Sequence, residues 1–215
     1  ALKEGAARGT RACMDQYLSH PVTDRASFAE LKKRLYPTSP ARYSLWWDQW
    51  VKVWQTRDYP LCLLRNGTFG LYSGLRNWVG TEEISYLFYD DPCFVEELLD
   101  YNTELMLTTV ERALQACRFD YFNFFDDFAG KGGPLIGPEI FRKFLMPRYK
   151  RIIERLRRAG IKHFWLDSDG DPVEEEGAQL EYLHGGYGGI FPKVEVELEG
   201  KDVGHVLALT LEPLD

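Results

Sequence analysis

No stretch of this chain approaches the roughly 20 apolar residues that cross a bilayer, so no membrane span is expected. The opening A-L-K-E-G-A-A-R-G-T-R also lacks the apolar core of a secretory signal. Positive charge is short: 26 Lys and Arg face 33 Asp and Glu, for a formal net charge of -7. That balance argues against nucleic acid as a partner, because phosphate binding draws on clustered cations. Cysteine is sparse, with Cys13, Cys62, Cys93 and Cys117 far apart and no C-x-x-C or finger spacing among them. Isolated thiols of this kind read as buried side chains rather than bridges, and a reducing cytoplasm is the expected setting. His20, His163, His184 and His205 are dispersed, without H-E-x-x-H or a Ser-His-Asp ordering, so no metal site is expected.

What remains is a globular composition: 215 residues, 45% hydrophobic and 14% aromatic. That is enough for one domain with a sizeable core, and no Pro-, Gly- or Ser-rich linker divides residues 1–215. The chain starts at Ala1 rather than Met, and it is expected to be part of a longer protein.

The centre of the pattern is Tyr121 to Gly130, Y-F-N-F-F-D-D-F-A-G, an apolar run ending in two acids and a small turn. Such a run reads as a strand buried on both faces in a parallel sheet. Asp126 and Asp127 then stand at its carboxyl end, where α/β enzymes place their chemistry. Upstream, Ser27 with Glu30 reads as a capping box opening a short helix that Pro37 and Pro40 end. Ser44 to Arg57 is a second helix whose Trp46, Trp47, Trp50 and Trp54 make an aromatic stripe, read as core or interface packing. L-C-L-L-R at 61–65 is a short strand. The glycine-bearing stretch N-G-T-F-G-L-Y-S-G-L-R after it reads as a loop, too irregular for a dinucleotide fingerprint or a P-loop. Asp91-Pro92 starts a long helix to about Cys117, with Asn102 among its stripe positions.

After Gly130, Pro138-Glu139 opens another helix, kinked at Pro147 and stopped near Gly160. Its many Lys and Arg could hold anions but read as a solvated face. I-K-H-F-W-L-D-S-D-G-D is again a strand ending in acids, and His163 on it is expected to be packed. A polar, weakly helical segment then leads to a last strand at 189–194. Alternating strands and helices imply parallel strands with right-handed crossovers.

Three strand ends therefore present acids: Asp126 with Asp127, Asp167 with Asp169, and Glu195. Convergent carboxylates can do acid/base work, hold a divalent cation or steer a cationic substrate. Lys131 stands near enough in sequence to neutralise the first pair. Read as a calcium loop, D-S-D-G-D fails, since Pro172 replaces the required glycine and Ala178 the closing glutamate. Read as h-h-h-D-x-D, it resembles the haloacid dehalogenase-like phosphohydrolases, with Asp167 as nucleophile and Asp169 as its partner, but little chain is left for their later elements.

F-D-D-F-A-G followed by G-P-E-I-F-R-K-F-L-M-P-R-Y-K-R-I resembles the uroporphyrinogen decarboxylase family, which includes corrinoid-dependent methyltransferases. The family pattern there is F-[DE]-S-x-A-G and then P-x-x-F-x-x-F-x-x-P. Gly67-Thr68-Phe69-Gly70 after a strand, the Asp91-Pro92 helix and G-G-I-F-P-K-V-E extend the likeness over about residues 60–203. The resemblance implies a (β/α)8 TIM barrel with its cleft at the carboxyl ends of the strands, here partial, lacking first and last strands. Unpaired sheet edges invite association, and a homodimer is allowed.

The resemblance also implies a tetrapyrrole, or a small molecule carried with a corrinoid protein, as substrate. Any corrinoid cofactor would come on a partner protein. Asp126 matches the family's acidic position. Asp127 replaces the Ser that contacts a substrate carboxylate in the decarboxylases, and an acid there would repel a propionate. Asp167 and Asp169 stand where the zinc methyltransferases carry H-x-C, so a thiolate zinc site is not expected. The decarboxylases' central Asp and a catalytic tyrosine have no counterpart, although Tyr72 is near. The expected set is Asp126, Asp127, Asp167 and Asp169 for chemistry, with Gly67, Phe69, Tyr72, Arg76, Lys131 and Glu195 for substrate.

Overall fold

A computed structural model describes residues 2–3, 16–64, 69–130, 133–168 and 206–209. Within them the fold is mixed α/β. Two-residue strands β1 (Leu2–Lys3) and β2 (Gln16–Tyr17) pair antiparallel. Helices α1 (Arg25–Arg34), α2 (Trp47–Gln55), α3 (Leu71–Val79), α4 (Thr81–Asp90) and α5 (Pro92–Ala116) follow. Next come β3 (Tyr121–Phe125) and a small antiparallel pair, β4 (Ala129–Gly130) with β5 (Gly133–Pro134). The chain continues through α6 (Pro138–Ile140), a π-helical turn (Phe141–Leu145), α7 (Met146–Arg158) and β6 (His163–Asp167). A last strand, β7 (Val206–Leu209), lies against β6.

β3 forms as its composition demands. Four of its five residues are aromatic, a class that suits a pleated surface, and Phe122, Asn123 and Phe124 are all buried. It pairs parallel with β6 in register from Tyr121 opposite His163 to Phe125 opposite Asp167. On its other side the expected strand at 61–65 contracts to one parallel bridge, Cys62 to Tyr121. Three backbone bonds hold that edge: the Leu63 N–H donates to the Tyr121 carbonyl at 3.1 Å, and the Tyr121 and Asp120 N–H groups donate to the Leu61 carbonyl at 3.4 and 2.9 Å. β7 pairs with β6 antiparallel, where the alternation implied another parallel neighbour. The strand expected at 189–194 lies outside the described residues.

α5 has the predicted bounds within one residue, and the Asp91 carboxylate accepts from the Phe94 N–H at 3.0 Å to cap it. α1 is capped earlier than expected. Asp24 is the N-cap and Ser27 the third helical residue of the box, because the Asp carboxylate takes the Ser27 N–H at 2.7 Å. The described part of the glycine-bearing stretch is helix from Leu71 onward: Gly70 opens α3, and Gly74 lies inside it. Pro147 acts through the turn before it. A residue without an N–H leaves a carbonyl one turn back unpaired, and the chain widens there, with the Met146 N–H bonding the Phe141 carbonyl.

Tyr149, Ile152, Ile153 and Leu156 of α7 are buried. Its basic face is spent on α5: Arg148 pairs with Asp100 at 2.8 Å, and Arg151 and Arg155 pair with Glu104 and Glu111. The tryptophan stripe divides. Trp47 and Trp54 pack toward Tyr43 and the core, whereas Trp46 and Trp50 stay 65% and 49% exposed. Cys117 is buried, Cys62 half-buried and Cys93 exposed, all as free thiols; Cys13 lies outside the described residues. The ring expected to be packed on β6, His163, is exposed. No described helix is long and apolar enough to cross a membrane.

Candidate functional site

The site is the carboxyl edge of β3 and β6, and Asp126 is its anchor. The Asp126 side chain is fully buried. Its Oδ2 accepts from the Leu71 N–H at 2.8 Å and the Tyr72 N–H at 3.0 Å, and its Oδ1 from the Ser73 N–H at 2.6 Å. The Tyr149 hydroxyl of α7 donates to Oδ2 as well. The three amides are the first of α3, whose N-cap residue, Gly70, has no side chain to satisfy them. A carboxylate at a helix N-terminus meets orphan donors and the positive end of the macrodipole. Asp126 is thus a cap supplied from 55 residues away along the chain.

The close approach needs Gly70. A Cβ there would lie 2.0 Å from the Phe125 carbonyl oxygen and 2.9 Å from Asp126 Oδ1. The Phe125 N–H donates to the Phe69 carbonyl at 2.7 Å, so the chain before α3 lies against the end of β3. From α5, Asn102 Nδ2 donates to the Gly70 carbonyl at 3.1 Å. Burial pushes the Asp126 carboxyl above its usual range, opposed by the Tyr149 hydroxyl and the Ser73, Tyr72 and Leu71 amides. Burial, with the Asp126 charge, pushes the Tyr149 hydroxyl well above its own range, so that it keeps its proton and donates.

Asp127 differs in kind. It is half-buried, its N–H donates to Ser73 Oγ at 2.9 Å, and its carbonyl accepts from Arg76 Nη1 at 2.8 Å. Arg76 also bonds Thr81 Oγ1 at 3.0 Å and lies 5.8 Å from the centre of the Tyr72 ring. Tyr72 itself is fully buried and stacks on Phe88, and burial raises its hydroxyl. Phe69 is buried too, 6.3 Å from the Phe122 and Phe124 rings. Tyr72 and Phe69 are therefore walls of the site, and Asp127 and Arg76 are its polar members.

Asp167 closes β6 opposite Phe125. The backbones that carry Asp126 and Asp167 thus leave the sheet at one edge. Of Asp167 the backbone alone is described; Gly67, Lys131, Asp169 and Glu195 lie outside the described residues. Among the described residues no group of His, Cys, Asp and Glu could hold a metal ion.

The functional reading of the sequence missed Gly70, Ser73, Asn102 and Tyr149. The last two carry a visible signal, a polar atom on an otherwise apolar helix stripe, and in the structure each spends that atom on the Gly70–Asp126 junction. A cavity of about 720 Å³ lies at the opposite end of the strands, where Asp120, Cys117 and Gly160 line it with Arg57 and Arg118. Comparison of the chain with family models, curated proteins and solved structures finds no match in any of the three.

Proposed function

We propose that the chain is part of a (β/α)8 barrel of the uroporphyrinogen decarboxylase type, acting on a tetrapyrrole- or corrinoid-linked substrate. It is nearer the methyltransferases than the haem-pathway decarboxylases. One observation carries this reading: the parallel register sets Asp167, the last residue of β6, opposite Phe125, the residue before Asp126, so the acids follow at one edge, the edge where such barrels work. The likeness of F-D-D-F-A-G and the Pro147 helix to the family supports it, and the second element meets the first through the Tyr149 hydroxyl on Asp126.

In this reading Asp126 positions and Asp127 acts. Asp126 has both oxygens committed, whereas Asp127 follows it at the rim, beside Arg76. An acid at that place disfavours a propionate and favours a substrate that brings a proton or a positive charge. The thiolate zinc set of the methyltransferases does not fit here, because acids stand at its H-x-C positions.

The test is methyl transfer from methylcobalamin to a small thiol by the intact protein, followed by the loss of the cobalt–carbon absorbance band. Asp127→Ala should lower the rate about tenfold or more. Equal rates remove Asp127 from the chemistry. The burial of Asp126 favours a second reading, a catalytically silent barrel that only cradles the tetrapyrrole. That reading expects no turnover together with a spectral shift when a tetrapyrrole is titrated, and neither signal would end both readings.

A further inference from the structure

Beside the Gly70 junction, and joined to the Asp127 rim through Ser73, a cavity of about 300 Å³ runs between α3 and α5. That is on the order of ten water volumes, at the small end for ligand pockets. Phe69, Trp78, Leu105, Met106, Val110 and Phe125 give it an apolar body. Its polar members are of two sorts.

Asn102 and Ser73 are buried, at 5% and 9% exposure, and each keeps hydrogen-bonding capacity in hand. Asn102 uses one N–H on the Gly70 carbonyl, and its Oδ1 accepts from no described residue. Ser73 Oγ accepts the Asp127 N–H, while its own O–H has no described acceptor. Both residues line the cavity, so the remaining acceptor and donor are available to a ligand. Asn77, Thr109 and Arg42 line it as well, and the charge among them is that of Arg42, which is exposed. Its Nε is held by the Tyr36 carbonyl at 2.7 Å, and its outer nitrogens meet no acid among the described residues.

We infer that this cavity binds a small hydroxylated carboxylic acid with an apolar, ring-sized body. The hydroxyl donates to Asn102 Oδ1 and accepts from the Ser73 O–H. The body lies along Met106 and Phe69, and the carboxylate meets the Arg42 guanidinium, whose planar fork suits it. The inference does not rest on the decarboxylase-type reading, because binding alone tests it, without turnover.

The probes are 4-hydroxyphenylacetate, phenylacetate, which lacks the hydroxyl, and tyramine, which exchanges the carboxylate for an amine. Calorimetric titration of the full chain should give 4-hydroxyphenylacetate a Kd of about 1 mM or below. Phenylacetate should bind roughly tenfold more weakly, and tyramine should give no heat of binding. Met106→Trp fills the apolar body and should abolish binding with an unchanged far-ultraviolet circular dichroism spectrum. Arg42→Gln, on the exposed rim where folding is not at risk, should weaken binding about tenfold. Three results would overturn the inference: no binding of 4-hydroxyphenylacetate, equal affinity for the three probes, or wild-type affinity in Arg42→Gln.

Discussion

β3 is clamped at both ends by an aspartate, and the two clamps are opposites. At the amino end Asp120 accepts from Arg57 Nη2 at 2.6 Å and from the Leu61 N–H at 2.9 Å. Arg57 goes on to bond the carbonyls of Trp54, Tyr59 and Arg118. At the carboxyl end Asp126 takes three amides and a phenol, with no cation among its partners. Both tie the same neighbour, the chain around residues 54–73, to the same strand. One uses a half-buried charge pair, the other neutral donors in a dry site. The Asp120–Arg57 bond holds the Asp120 carboxyl below its usual range, whereas burial pushes that of Asp126 above it. A carboxylate's sequence position therefore says where it sits, and its partners decide what it is for.

Removing the carboxyl-end clamp should have the largest effect. Asp126→Ala leaves three amides and the Tyr149 hydroxyl without an acceptor in a dry site, which should cost about 3–5 kcal/mol. Tyr149→Phe removes a single donor and should cost about 1–2 kcal/mol. Urea denaturation would read both as a shift in midpoint at constant slope. If Asp126→Ala proved no more damaging than Tyr149→Phe, the cap would not be what holds α3 to β3.

Next in size is Gly70→Ala. Its Cβ would fall 2.0 Å from a backbone oxygen, which no side-chain rotation relieves, so the strand end and the helix start must part. Overpacking of this kind costs about 1–3 kcal/mol, and a backbone clash belongs at the top of that range. Gly74→Ala is the control within the same helix. There the atom met, at 2.5 Å, is the Asn102 side-chain amide, which can swing away, and the thermal midpoint should fall less. Equal losses would mean that close approach at Gly70 is not what the glycine provides.

These contrasts explain what could be read in advance. α5, β3 and β6 announce themselves, because their stripes are long or their apolar runs are bounded by acids. α3 does not: its sequence, L-Y-S-G-L-R-N-W-V, combines a Ser and a Gly that local propensity sends to loops. It is helical because Asp126 caps it from β3 and because Gly74 lets the Asn102 amide come close, and both causes lie far away in sequence. Likewise, the acids at 126 and 127 could be picked out as a pair but not told apart, since burial separates them and burial is set by Tyr149 and α3. The aromatic stripe of α2 is legible as a stripe, but which tryptophans face Tyr43 is settled by tertiary packing.

The amino-end clamp should yield the smallest effect and the opposite pH signature. Asp120→Asn removes a partly exposed ion pair and should cost up to about 1 kcal/mol near neutral pH. Because the folded-state pKa of Asp120 lies below its unfolded value of 3.8, its contribution is present above that pH. It is lost as pH falls through the lowered value. Asp126, raised in the fold, works in the other direction: its ionisation costs stability as pH climbs from 3.8 through its folded pKa. Thermal midpoints of wild type and Asp120→Asn, measured from pH 6 down to pH 3, should therefore converge at the acid end. A gap that stayed constant across that range would mean that the Arg57 bond does not depend on the Asp120 charge, and the two clamps would then differ in burial alone.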